Sequence, residues 1–188
     1  MNSDSPSAGR LQQRAAEIEA AVRRTALRFG EVPVIETLAV RLLVFLGREV
    51  SALFEQALRP HGLNETDFRT LMSLFCQPEG VANPSQLCAS VGQSPANMTR
   101  VADALCQRGM ITRVASEYDR RHMILRITAS GEALALALLP QMAARTRALF
   151  DPMPVATRQQ LLDRLRDLLT QLDYSAPADG PAEHLGAR

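Results

Sequence analysis

From Arg10 to Phe29 apolar side chains recur at Leu11, Ala15, Ile18, Val22 and Phe29, the spacing that gathers one face of an α-helix. Pro33 opens a second helical segment reaching about Arg59, with a stripe through Leu38, Leu42, Phe45, Leu46, Leu53 and Leu58. Pro60 and Gly62 end it. Asn64 or Thr66 can cap a third helix carrying Phe68, Leu71, Met72, Leu74 and Phe75. The polar stretch QPEGVANP reads as a loop, after which Ser85 begins a short helix that stops at Gly92. Pro95 then sits first in the next helix, where a missing amide costs nothing, and Gly109 ends it.

Two short helices around a tight, Gly-containing turn predict a helix-turn-helix, its second member being the recognition helix. The apolar period then changes. Met110–Val114 and Met123–Thr128 are β-forming runs on either side of the polar segment ASEYDRR, as in a two-stranded hairpin with a charged tip. Helix, strand, tip, strand is the order of a winged helix. Ser130–Phe150 and Thr157–Leu172 read as two further helices, parted by Pro152 and Pro154. Leu161, Leu162, Leu165, Leu168 and Leu169 fall on one face of the second. Residues 1–9 and 175–188 are rich in Pro, Gly, Ala and Ser and are expected to be disordered tails. The expected fold is mainly α, with a winged helix-turn-helix over residues 60–129 between helical segments 10–59 and 130–174.

Composition adds limits. The chain has 188 residues, 46% apolar and 22% charged, which suits a water-soluble protein with one good core. No run has the apolar length of a membrane span, so no membrane partner is expected. The N-terminus lacks a signal peptide's apolar core, which makes the cytoplasm the expected location. Three histidines (His61, His122, His184) and three cysteines show no ligand spacing and no nucleophile–base pairing. Neither a metal, a cofactor nor an enzyme is therefore expected. Cys76, Cys88 and Cys106 each fall on the apolar side of an expected helix. They are read as packing residues, with redox sensing as the alternative.

The net charge of +1 is uninformative, but its distribution is not. Between Arg100 and Arg126 six arginines face three acids, a local concentration typical of nucleic-acid binding. All 21 cationic residues are arginine, whose planar fork can bind phosphate or guanine in bidentate fashion. The candidate DNA contacts on the recognition helix are Ser94, Pro95, Ala96, Asn97, Thr99 and Arg100. Small, polar side chains there allow close approach to base edges; Asn97 suits adenine, Arg100 guanine or phosphate. Ser85 and Gln86, opening the preceding helix, are further candidates. Asp119 would stiffen the hairpin tip, and Arg120 and Arg121 would enter a minor groove. The competing reading is an ordinary capped surface helix followed by a solvated turn.

The segments HGLNETDFRTLMSL, SQLCASVGQSPANMTRVADALCQRGMITR and DRRHMILRITASGEAL resemble the MarR family of winged-helix regulators. The D-R-R…L-R-I-T-x-x-G pattern is the most specific part. The segment from Glu31 to Thr66 is similar to the branch that represses multidrug efflux pumps, and the resemblance spans about residues 17–172. It implies a homodimer whose terminal helices, 10–59 and 130–174, interlock, with Ile18, Val22, Leu161, Leu165, Leu168 and Leu169 in the interface. It also implies a repressor of pseudo-palindromic operator DNA, released by a small aromatic or phenolic effector. An aromatic acid needs an arginine or polar group at the edge of an apolar pocket. Arg41, Phe45, Arg48, His61, Phe68, Met72 and Phe75 can supply one where the second and third helices meet the core, unless they only fill core or face solvent. Thr99 and Arg113 match positions where some family members take up salicylate. Redox-sensing relatives place a reactive cysteine near the start of the long dimer-side helix, where this chain has none. A winged helix that serves only protein contacts is the remaining alternative.

Overall fold

The computed structural model describes residues 8–115 and 123–175. The tail assignments beyond these limits and the hairpin tip with Asp119, Arg120 and Arg121 lie outside the described residues. The elements run α1 (Ala8–Phe29), α2 (Val34–Leu58), α3 (Glu65–Phe75), β1 (Val81–Ala82), α4 (Pro84–Val91), α5 (Pro95–Gln107), β2 (Ile111–Ala115), β3 (Met123–Ile127), α6 (Ala129–Phe150) and α7 (Val155–Ser175). Two compact units divide the chain, the first ending at Met142 and the second beginning at Ala143.

Local chemistry sets the helix starts in the first unit. Asn64 accepts the Asp67 amide at 2.8 Å while the Asp67 carboxylate accepts the Asn64 amide at 3.1 Å, a reciprocal capping box. Asn83 and Gln86 repeat the arrangement at 2.8 and 3.0 Å, so α4 starts at Pro84, one residue before the expected Ser85. Gly92 ends α4 in the left-handed conformation at φ 70°, its amide bonded to the Cys88 carbonyl. α1 begins at Ala8, inside the segment 1–9 expected to be disordered.

The sheet is antiparallel in the order β1-β3-β2. β2 and β3 pair from Ile111 opposite Ile127 to Ala115 opposite Met123. β1 corrects the sequence reading, which took this stretch as loop. Its two residues align Val81 with Arg126 and Ala82 with Leu125. A strand so short has no period of its own, and only its partner 45 residues downstream defines it.

The core gathers Leu58, Leu63, Leu71, Leu74, Leu87, Val91, Met98, Leu105, Ile111, Leu125 and Leu138. It lies beneath the helix-turn-helix and one face of the sheet. Phe29 and Leu46, placed on apolar stripes from the sequence, are 75% and 57% exposed. Cys76 is exposed at the end of α3 rather than on an apolar face, whereas Cys88 and Cys106 pack against the core. In the second unit, α7 leaves Leu161, Leu162, Leu168, Leu169 and Leu172 exposed, with Leu165 half-buried.

Candidate nucleic-acid interface

The site is built around α5. Ser94 caps it, its hydroxyl accepting the Asn97 amide at 3.3 Å, and Pro95 takes the first position. Met98, Val101, Ala102 and Leu105 recur at helical spacing and are buried, which fixes the helix's inner face. Ala104, beside the buried Leu105, is exposed, whereas Ala102 is buried. The opposite face therefore presents Ser94, Pro95, Ala96, Thr99 and Arg100 to solvent. The Thr99 hydroxyl donates to the Pro95 carbonyl at 3.0 Å. Arg100 forms no ion pair among the described residues.

Asn97 is half-buried, and its side-chain amide donates to the Gln93 side-chain oxygen at 2.6 Å. One amide proton and the carbonyl remain for a base edge, in a rotamer held by Gln93. Ser85 and Gln86 are exposed at the start of α4, but the Gln86 oxygen is already committed to the Asn83 amide. Sequence reasoning missed Gln93, Asp103 and Arg108. Asp103 on α5 meets Arg113 on β2 at 2.6 Å, an ion pair that ties the recognition helix to the wing's first strand. Only the mixed charges around the expected hairpin hinted at it. Both partners are half-exposed, so the pair contributes about 0–1 kcal/mol and acts mainly by orientation.

The effector candidates separate into groups. Arg41, Phe45 and Arg48 line a cavity of about 570 Å³ between α1 and α2, with Val40 and Val44 beside them and Arg14, Glu17, Ile18 and Ala21 across it. The Arg14 guanidinium stands 5.7 Å from the centre of the Phe45 ring. His61, Phe68, Met72 and Phe75 are not in its lining; Phe68 packs against the core instead. Thr99 and Arg113 are likewise elsewhere, the latter held by Asp103. Of the interface candidates, Ile18 faces the cavity and Val22 is buried, at 4% exposure, within its own chain. Among the described residues no group of His, Cys, Asp or Glu is placed to hold a metal ion.

A capped, half-buried recognition helix behind a short helix, followed by a hairpin pinned to it, defines a winged helix-turn-helix DNA-binding protein. The MarR family model matches residues 63–123, from the turn before α3 through the start of β3. The chain is 32% identical to the transcriptional repressor MprA of Escherichia coli (strain K12) over 156 residues, 83% of this chain and 89% of that protein. Its fold is shared with Streptomyces coelicolor Sco3205, a MarR family regulator solved in complex with DNA. There the TM-score is 0.70 at 17% identity, covering 75% of this chain and 89% of the other. Bordetella bronchiseptica BpsR, whose DNA binding is regulated by 6-hydroxynicotinic acid, is similar with TM-score 0.61 at 23% identity, covering 69% and 97%. The chain belongs to the MarR family, on the MprA side of it, and is a transcription regulator rather than an enzyme.

Proposed function

We propose that this chain is a repressor that binds operator DNA as a homodimer and is released by a small aromatic acid. One observation carries the DNA half. The outer face of α5 presents small and polar residues with Arg100 at their edge, while its inner face is locked in the core. A dimer would set two such helices about one helical turn, roughly 10 bp, apart on a pseudo-palindrome. The exposed leucines of α7 are an apolar surface that a second copy would cover.

The effector half is supported by the α1–α2 cavity. Its volume is in the range of small-molecule sites, and its lining is mixed: Ile18, Ala21, Val40, Val44 and Phe45 are apolar, while Arg14, Arg41 and Arg48 outnumber the single acid Glu17. That combination suits a flat anion. Arg113 is less available, because Asp103 already occupies its guanidinium. Release then follows as a population shift: the ligand favours a dimer whose recognition helices are wrongly spaced, and operator favours the other.

The test is to titrate salicylate and 6-hydroxynicotinic acid into the protein–operator complex, with the Arg41→Ala/Arg48→Ala protein as control. A rise in Kd that the double variant abolishes, with its ligand-free Kd unchanged, is the expected result. Identical operator affinity with and without every aromatic acid would remove the effector half.

A further inference from the structure

We infer that Arg108 is a positioning residue for operator binding: its guanidinium fastens the C-terminal end of the recognition helix to the turn that closes α2, and it does not contact DNA phosphate. The inference rests on the operator-binding reading above. Arg108 caps the C-terminus of α5. Its Nη1 donates to the Gly62 carbonyl at 2.6 Å and its Nη2 to the His61 carbonyl at 2.5 Å, across 46 and 47 residues of sequence. Those carbonyls belong to the helical turn Arg59–His61 and its cap, where the chain of α2 ends. The last carbonyls of a helix lack partners and carry the negative end of its dipole. A planar fork matches two adjacent carbonyls as a single ammonium does not.

Gly62 makes the contact feasible. It sits at φ 63°, and a Cβ there would lie 3.4 Å from Arg108 Nη2, so the guanidinium lies close over a residue with no side chain. The turn beneath is firm: the Leu63 amide bonds back to Leu58 at 3.2 Å and the Gly62 amide to Arg59 at 2.9 Å. The fork thus joins two ordered elements.

Leverage explains why this matters at the DNA. The 13 residues of α5 span about 20 Å. A tilt of about 5° at the C-terminal end displaces the base-reading end by about 2 Å, beyond the tolerance of a hydrogen bond. From sequence alone Arg108 counts among the basic residues of the DNA-binding region; the residue stays exposed, but its guanidinium is turned onto the His61 and Gly62 carbonyls.

The test uses Arg108→Met, Arg108→Lys and, as a control on the outer face of α5, Arg100→Met. Operator affinity is measured at several salt concentrations, and hydrogen exchange is followed in the free proteins. Arg108→Met is expected to weaken operator binding about tenfold with an unchanged salt slope, whereas Arg100→Met lowers the slope by about one. Arg108→Lys keeps the charge but loses the fork, and should resemble Arg108→Met. Exchange should quicken at the last turn of α5 and at Gly62–Leu63 in both Arg108 variants. A slope reduced by Arg108→Met, affinity restored by lysine, or undiminished affinity would each overturn the inference. Should the unmodified protein fail to prefer operator, the regulator reading fails; unchanged exchange in the variants would then still refute the tie.

Discussion

At the residue scale, side chains on the outer face of α5 are expected to act on DNA and those on the inner face on stability. Arg100→Ala should cost about 1–3 kcal/mol of operator binding, read by titration, with the melting temperature nearly unchanged. Leu105 is fully buried at the heart of the core, so Leu105→Ala should cost about 2–5 kcal/mol of unfolding free energy in a denaturant titration. The outer face was legible from sequence because its residues alternate with buried ones at helical spacing. Gln93, Asp103 and Arg108 were not. Each acts through a partner that the fold supplies: the Asn97 side chain, the Arg113 guanidinium, and two carbonyls nearly fifty residues away. No local pattern carries such information.

At the element scale, most of the architecture could be read from helix punctuation. Gly62, Gly92 and Gly109 all adopt positive φ where a helix was expected to end, and Pro95 opens α5 as expected, while α4 starts at Pro84, one residue before the expected Ser85. The family's T-x-x-G signature also gains a physical reason. The Thr128 hydroxyl reaches the Gly109 carbonyl at 2.7 Å and accepts the Gly131 amide at 3.1 Å, joining the end of the wing to the entry of β2. A Cβ at Gly131 would overlap the Met110 carbonyl oxygen. Gly131→Ala should therefore destabilise the protein by about 1–3 kcal/mol in thermal or denaturant unfolding, despite the higher helix propensity of alanine. What escaped the sequence was β1, whose two residues follow Glu79 at φ 59° and Gly80 at φ 64°. A non-glycine residue in that conformation is uncommon, and nothing in QPEGVANP announces it.

At the scale of the whole molecule, the expectations concern assembly and DNA. The leucines of α7 are the surface assigned to a second copy, so Leu165→Glu/Leu169→Glu should convert a dimer to monomer or aggregate in light scattering after size exclusion. A monomeric unmodified protein would contradict the dimer. Among the described residues no helix is long and apolar enough to cross a membrane. The cavity beside α2 was only partly legible: Arg41, Phe45 and Arg48 share one face of α2, but sequence could not show that α1 rather than α3 closes over them.

The most direct measurement is fluorescence anisotropy of the unmodified protein on its own upstream DNA and on a scrambled duplex, at two salt concentrations. The account requires tight binding that prefers the native sequence and weakens steeply with salt. Equal, weak binding to both duplexes would contradict operator recognition at that site and return the winged helix to the alternative of a protein-contact module.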